Sequence, residues 1–193
     1  MLYQYLFLFL CFACDGAFRP IVHAAAEPFG LPAGQAVSIG HLSVTAAGGY
    51  RVSVRGSDHE RESFVFVRDG ARLGEHATIV VREDRAMARR LNKSGVVSDA
   101  LAYMALGLYT EFFTEHGWRP SENLTASRKW TADGIDFFYT TLERRGENYS
   151  LRGALVTAAI DDDLIYIDLE APASMWADAY DGLVQFISAM HRG

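Results

Sequence analysis

The sequence predicts an α+β protein in which a mostly antiparallel β-sheet is packed by two amphipathic helices, in an arrangement like an α/β/α sandwich. Short segments rich in β-branched and aromatic residues fall into two groups along the chain. Each group is followed by one segment whose apolar residues have helical spacing. The 193 residues, of which 50% are hydrophobic, suit a single domain with an ordinary core.

Three strands are predicted in the first group. In YRVSV, at 50–54, apolar and polar residues alternate as in a half-buried strand, and the Gly-Gly pair before it suits a two-residue hairpin turn. The segments at 62–67 and 77–81 are short, β-branched or aromatic, and bounded by turn-like residues. We expect all three strands to lie in one sheet.

A helix is predicted between the two groups of strands. Apolar residues recur at intervals of three and four along SDALAYMALGLYTEFFTEHGW, which is typical of one face of a helix. Ser98 suits the N-cap and Gly117 the C-terminal stop. The predicted buried face consists of Leu101, Met104, Ala105, Leu108 and Phe112, widened by Tyr109 and Phe113.

Strands return in the second half of the chain, at 134–145, 149–160 and 164–170. The short polar turns GEN and DDD separate them, so we expect antiparallel pairing in a meander. A second helix follows Pro172, with Ser174 as its predicted N-cap. The apolar stripe of this helix consists of Trp176, Tyr180, Leu183, Val184, Ile187 and Met190.

The N-terminal segment has the composition of a targeting signal. Its apolar run is shorter than the roughly 20 residues that span a bilayer, and small-residue patterns that suit cleavage follow it. We expect a signal peptide at 1–26, a Gly/Pro-rich loop at 27–40 and a single α+β domain at 41–193.

Both cysteines, Cys11 and Cys14, lie inside the predicted signal peptide. The mature chain would then hold no thiol for a disulfide or for catalysis. Two other interpretations of the segment remain open. It could be retained as an anchor, or lipid could be attached at Cys14.

The composition argues against nucleic acid as a partner. The net charge of −6 gives no general electrostatic attraction to phosphates, and no zinc-finger or basic-zipper pattern occurs in the sequence. There is also no P-loop and no G-x-G-x-x-G motif, so the sequence predicts neither a nucleotide nor another cofactor.

Three consecutive aspartates lie between two apolar runs in GALVTAAIDDDLIYIDLEAP. Clustered carboxylates are the ligands that Mg²⁺ and Ca²⁺ prefer, and Asp161 with Asp163 forms a D-x-D pattern. Successive turn residues point in different directions, however, and aspartate is a common turn residue whose charge keeps hairpin tips soluble. We interpret the triplet as the bend of a hairpin, with a metal site at Asp161 and Asp163 as the alternative.

The chemically active side chains form no known catalytic motif. GSDHERES brings a serine, an aspartate and His59 together, but catalytic triads are assembled from separate elements, and no G-x-S-x-G elbow occurs. The histidines show no paired spacing. We therefore expect a protein without catalytic activity. One alternative is an exported hydrolase or metal-dependent enzyme that uses Asp161, Asp163 or His59. Another is a small-ligand carrier with an aromatic pocket around Trp130, Phe137, Phe138 and Tyr139.

One charged segment differs from the rest of this acidic chain. VREDRAMARRLNKSG holds five basic residues close together, partly neutralised by two acidic ones. Such a cluster could dock an acidic partner or an anionic membrane surface, whereas a solvated connecting helix is the other interpretation of a charge run. The predicted partner-binding residues are Arg82, Arg85, Arg89, Arg90 and Lys93.

The order of the elements from about residue 77 to residue 190 resembles the PsbP-like fold. A long helix is followed by antiparallel strands, and a last strand leads through YIDLEAP into a closing helix, SMWADAYDGLVQFISAM. The resemblance implies a small α/β/α sandwich that serves as a periplasmic or lumenal accessory protein, assembly factor or chaperone. It implies a binding role and supplies no catalytic residue.

We expect an exported accessory or binding protein, periplasmic or secreted, that engages another protein or complex of the bacterial envelope. The basic segment or an exposed sheet edge would form the interface. An assembly factor, a chaperone and an immunity protein all fit this description. Peripheral membrane contact through the N-terminal segment or the basic segment is compatible with it, and the chain would be membrane-anchored if that segment is retained or Cys14 is lipidated.

Overall fold

The computed structural model describes residues 10–11, 19–20, 36–58, 61–72, 75–91, 97–121, 128–161 and 163–192. Most of the predicted signal peptide, with Cys14, lies outside these residues, as do His59 and Lys93. Near the N-terminus, Leu10–Cys11 pairs with Arg19–Pro20 in a separate two-stranded ladder.

Two sheets and three α-helices make up the rest of the described chain. The helices are α1 at Arg85–Leu91, α2 at Asp99–Glu115 and α3 at Trp176–Ser188, and α3 is preceded by a 3₁₀ turn at Ala173–Met175. The strands are β1 at Ala36–Ile39, β2 at Leu42–Thr45, β3 at Arg51–Asp58, β4 at Arg61–Asp69, β5 at His76–Glu83, β6 at Arg119–Pro120, β7 at Arg128–Ala132, β8 at Ile135–Arg145, β9 at Ser150–Ile160, β10 at Asp163–Pro172 and β11 at His191–Arg192.

The large sheet is antiparallel throughout its described pairings. Its strand order is β3-β4-β5-β10-β9-β8-β6, and β7 also pairs with β8. The predicted meander is confirmed, because β8, β9 and β10 are sequential neighbours. A smaller sheet has the order β11-β2-β1. The structure thus confirms the predicted α+β class.

Both faces of the large sheet are covered, because successive strand residues point to opposite sides. On β9, Val156 and Ala158 belong to a core shared with α3 and the small sheet, which we name the α3 face. Leu155, which precedes Val156, belongs to a second core shared with α1 and α2, which we name the α2 face. The large sheet is therefore the middle layer of a sandwich.

Local signals mark several element ends as expected. The Ser98 side chain accepts a hydrogen bond from the Leu101 amide at 3.4 Å and caps α2. Gly117 follows that helix with a φ of +87°, a conformation that glycine adopts without strain. The described helices include none with the length and hydrophobicity that crossing a bilayer requires.

The predicted N-cap of α3 is wrong. Ser174 lies in the 3₁₀ turn, and its hydroxyl donates to Glu75 at 3.1 Å. Met175 occupies the N-cap position without a side-chain cap. The 3₁₀ turn after Pro172 supplies hydrogen bonds to backbone amides at the start of α3. Ser174 is therefore not needed as a cap and binds a distant carboxylate.

Two further features lie near the start of the domain. Ala36–Ile39, within the segment predicted as a loop, forms β1 and turns Val37 and Ile39 into the core. Gly48 and Gly49 form a turn with φ of +64° and +81°, but this turn connects the small sheet to the large one and does not close a hairpin.

Candidate functional site

The predicted basic segment begins where β5 ends, and the strand divides its charged residues between two faces. Arg82 lies on the α2 face, opposite Tyr166 of β10. Glu83 points to the α3 face, with the alternate residues Ile79 and Val81. The first charges of the segment are thus built into two separate buried clusters.

The cluster on the α2 face centres on Arg82, whose side chain is only 16% exposed. The guanidinium carbon lies 4.2 Å from the ring centre of Tyr166 and 5.7 Å from that of Tyr109. Its Nη2 atom is 3.7 Å from Asp84 Oδ2. Stacking on two aromatic rings beside a carboxylate stabilises a partly buried guanidinium.

Asp84 joins three elements through its carboxylate and its backbone amide. Oδ1 accepts the Met87 amide at 2.9 Å and so caps α1, and Oδ2 accepts the Tyr109 hydroxyl of α2 at 2.7 Å. Its own amide donates to the Leu164 carbonyl of β10 at 2.8 Å. Asp84 therefore fixes where α1 begins and how it lies against α2.

Asp168 extends this polar region along β10. It is 7% exposed, and its Oδ1 atom has no hydrogen-bond partner among the described residues. Burial and the neighbouring Glu170 carboxylate raise the pKa of Asp168, and the Arg82 charge opposes the shift. Asp168 is therefore suited to hold a proton at a pH where an exposed aspartate is ionised.

The cluster on the α3 face contains the second predicted metal ligand, Asp163. Asp163 Oδ2 accepts the His41 amide at 2.8 Å and lies 2.9 Å from His41 Nδ1. Glu83, hydrogen-bonded to Arg85, lies beside Asp163, and burial together with that neighbouring carboxylate raises the pKa of Glu83. The contact of Asp163 with His41 attaches the β1–β2 turn to the large sheet.

Gly40 lies directly against the Asp163 carboxylate, where there is no space for a side chain. It has a φ of +55°, and a Cβ atom there would lie 2.1 Å from Asp163 Oδ2. A side chain at this position would displace the aspartate from His41.

The two aspartates of the predicted metal alternative are not brought together. Asp161 is exposed at the β9–β10 turn, with a φ of +51°, and lies 3.8 Å from Arg192. Ile160 pairs with Asp163, so the triplet is the hairpin bend that the sequence predicts. Within the described ranges, no group of three His, Cys, Asp or Glu residues is arranged to hold a metal ion.

The remaining described arginines of the basic segment lie on α1. Arg85, Arg89 and Arg90 are all exposed, whereas Met87 faces the core. Arg85 is bound to Glu83 through its Nε atom. An exposed basic surface on α1 therefore remains after Arg82 is buried.

Beside α1, the outer surface of α2 is apolar. Tyr103 is 47% exposed and Met104 is 55% exposed, on adjacent positions of the helix. The helical spacing predicts Met104 on the buried face, but that face is centred on Ala102, Ala105 and Tyr109. The signal that could have shown this surface is that residues 100–109 of the helix are apolar on every side.

The aromatic residues of the predicted carrier pocket lie on two faces. Trp130 stacks on Tyr139 with ring centres 4.1 Å apart and extends towards Tyr180 of α3 at 5.9 Å. Phe138 points to the α2 face, where its ring contacts Tyr103 at 5.9 Å. Strand alternation thus separates Phe138 from its neighbours.

No family model matches the sequence, and no curated protein matches it. Among solved structures, the chain is similar to LpqN, which is described as involved in cell envelope biogenesis of Mycobacterium tuberculosis. The TM-score is 0.53 at 12% sequence identity, and the match covers 81% of this chain and 88% of LpqN. The two chains share a fold.

Proposed function

We propose that this protein is an exported accessory module that engages another protein of the bacterial envelope through the exposed arginines of α1. The observation that carries the proposal is the concentration of Arg85, Arg89 and Arg90 on one exposed helix of a chain with a net charge of −6. The fold shared with LpqN, a protein named for a part in envelope biogenesis, supports the envelope setting. We keep the PsbP-like assignment as part of the same proposal.

The partner surface would be acidic. Opposite charges on two surfaces speed their encounter and suppress wrong partners, while a few well-packed contacts supply most of the affinity. Arg82 acts indirectly, because Asp84 is near its guanidinium and also fixes the start of α1. Lys93, the fifth basic residue of the predicted segment, lies outside the described residues and stays part of the proposal on its sequence position alone.

The predicted signal peptide at residues 1–26 would place the mature chain in the periplasm or outside the cell. Retention of that segment, or a lipid on Cys14, would instead hold the domain at the membrane. In both cases the α1 surface would act beside other envelope proteins.

The test is a mild-crosslinking capture from the native envelope fraction, with mass spectrometry reading the partners and the mature N-terminus. Arg89→Glu with Arg90→Glu should remove the stoichiometric partner. Arg119→Glu with Arg152→Glu, two exposed arginines on strands, is the matched control and should keep it. A partner retained by the α1 double variant would contradict the proposal, and so would capture of anionic lipid in place of a protein.

A further inference from the structure

The end of the large sheet at the β8–β9 turn exposes arginines on its α3 face. Arg119 of β6, Glu143 of β8 and Arg152 of β9 lie side by side in register. Ala154, two residues from Arg152, belongs to the core of the α3 face, and alternate residues of a strand point to the same side. Arg145, two residues beyond Glu143, therefore lies on that face as well. The strand register alone brings these four charged side chains together.

Positive charge dominates this part of the sheet. Arg145 binds Glu143 at 3.0 Å and is still 72% exposed. Arg119 and Arg152 are exposed and form no hydrogen bond or ion pair with a described residue. Arg128 is exposed on the same face, where β7 pairs with β8. Four arginines against Glu143 give a local charge of +3 in a chain of −6. We name Arg119, Arg128, Arg145 and Arg152 the arginine face.

The arginine face lies beyond the elements that pack on this side of the sheet. α3 packs on β10, and the 3₁₀ turn packs on β9. Neighbouring strands are about 4.8 Å apart, so the Arg119 and Arg152 backbones are separated by roughly 10 Å across β8. Arg145 and Arg128 are displaced from that line along the strands. The charges thus form a two-dimensional array, which suits a charged surface better than a single extended chain.

The turn that closes the β8–β9 hairpin adds an exposed aromatic ring beside Arg145. Tyr149 is 49% exposed. The Gly146 amide donates to the Tyr149 carbonyl at 2.9 Å, and a Cβ atom on Gly146 would overlap the tyrosine ring. The ring is therefore held against the glycine backbone although it faces solvent. Tyrosine is enriched where membranes meet water, because its ring is apolar and its hydroxyl is polar.

We propose that the arginine face and Tyr149 bind the surface of an anionic lipid bilayer. The guanidinium groups contact headgroup phosphates, which arginine binds through several N–H donors, and the tyrosine ring lies at headgroup level. Glu147, exposed in the same turn, offsets one of the positive charges and leaves the surface basic. A protein partner is disfavoured here, because the arginine face holds no exposed large apolar side chain for the centre of an interface.

The inference goes beyond the proposed function and rests on different side chains. The proposed function places an acidic protein on the arginines of α1, whereas the arginine face belongs to β6, β7, β8 and β9. A vesicle experiment with the purified chain needs no protein partner. Its failure would therefore leave the proposed function standing, and loss of the captured partner would leave the vesicle result standing.

Flotation of the purified chain with lipid vesicles tests the inference. The chain should bind vesicles of phosphatidylglycerol with phosphatidylcholine, should not bind phosphatidylcholine alone, and should be released by salt. Arg119→Glu with Arg152→Glu should lower the affinity at least about tenfold. Arg89→Glu with Arg90→Glu changes the net charge equally and is the matched control, with a loss of a few-fold at most. Circular dichroism should show that both variants keep the fold.

A second pair of variants tests the aromatic contact. Tyr149→Ser should weaken vesicle binding a few-fold, whereas Tyr103→Ser, at a position 47% exposed on α2, should leave it unchanged. Absence of binding to anionic vesicles at low salt overturns the inference, and so do equal losses in the two arginine variants. Displacement from vesicles by inorganic phosphate at constant ionic strength also overturns it. Loss of the captured protein partner from the Arg119 and Arg152 variant would assign the arginine face to a protein instead.

Discussion

The helices α2 and α3 both cover the same sheet, but their outer faces differ. On α3 the exposed residues are mostly polar, namely Asp178, Asp181, Gln185 and Ser188, with Ala177 beside them. On α2 the exposed residues between Asp99 and Glu111 are apolar. The outer face of α3 is therefore mostly polar, whereas the first half of α2 exposes the large apolar side chains of Tyr103 and Met104.

The two helical glycines differ in the same way. A Cβ atom at Gly182 of α3 would lie 2.8 Å from the Gly48 carbonyl oxygen and 2.9 Å from Arg68 Nη1, so the chain itself requires a glycine there. At Gly107 of α2 the same space is open. One glycine serves packing within the chain, and the other has no such role.

The layers beneath the two helices also differ. Under α3 the core is apolar, and its buried acids Glu83 and Asp163 lie together near the strand ends. Under α1 and α2 the sheet holds Arg82 and Asp168 between apolar neighbours. The buried charges on the α2 side include an arginine and lie between apolar neighbours, whereas those on the α3 side lie near the strand ends and leave a closely packed apolar core.

The largest expected effect is a loss of stability on the α2 side, on substitution of Asp84. Asp84→Ala removes the cap of α1, the acceptor of the Tyr109 hydroxyl and the carboxylate that lies 3.7 Å from the Arg82 guanidinium. We expect a loss of about 3 kcal/mol in the free energy of unfolding, measured by chemical denaturation. Asp178→Ala, an exposed aspartate in the first turn of α3, is the control and should change little. Equal losses in the two variants would contradict the contrast.

Close packing on the α3 side is tested by Gly182→Ala. The added methyl group would meet the Gly48 carbonyl oxygen and Tyr50 at under 3 Å. Overpacking should destabilise the protein by about 1–2 kcal/mol in urea unfolding, after the gain in helix propensity is included. A variant as stable as the original chain would show that α3 can shift outwards freely.

The pH dependence of stability tests the buried acids. Burial and neighbouring carboxylates raise the pKa of Glu83 and Asp168, and burial raises that of Glu170. A carboxyl group whose pKa is raised by folding stabilises the folded state fully when the pH is below the ordinary pKa of that group. This stabilisation is lost as the pH rises through the pKa of the group in the folded state. The protein should therefore unfold with a higher free energy at about pH 5 than at about pH 8.

Asp168→Asn keeps the shape of that side chain and removes its titration. The free energy of unfolding of this variant should decline less between the two pH values than that of the original chain. Asp161→Asn at the exposed hairpin bend should retain the full decline. Thermal unfolding in matched buffers measures both. An unchanged slope in the Asp168 variant would mean that Asp168 does not titrate in this range.

The smallest expected effect has the opposite sign. Gly107→Ala should raise the free energy of unfolding by about 0.5–1 kcal/mol, because alanine favours the helix and its methyl group meets nothing in the chain. Chemical denaturation should show the gain. A loss of stability would show that the position is packed within its own chain and would remove the contrast with Gly182.

Much of the fold follows from local sequence patterns. The strands β4, β5 and β10, the Ser98 cap of α2 and the aspartate bend are set by residues close together in the chain, and the structure has them where the patterns predict them. Ser174 shows the limit of this approach. Its distant partner Glu75 competes with the local capping role, and no local pattern reveals that partner.

The charged residues show what could not be predicted. In the sequence, the five basic residues at 82–93 form a single cluster. The antiparallel register of β5 with β10 places Arg82 over Tyr166, and the strand then sends Glu83 to the other face. The inward side of α2 was likewise set by its contact with β8 and β9, which turned Met104 outwards.

The sequence by itself determined the long strands and the two long helices of this protein, because strand patterns, helix capping and turn formation depend on neighbouring residues. It also determined the basic character of α1. Only the tertiary structure decided which strands pair, which face each charge occupies and which side of α2 remains exposed. Those features depend on contacts between residues far apart in the chain, and such contacts form only when the layers pack together.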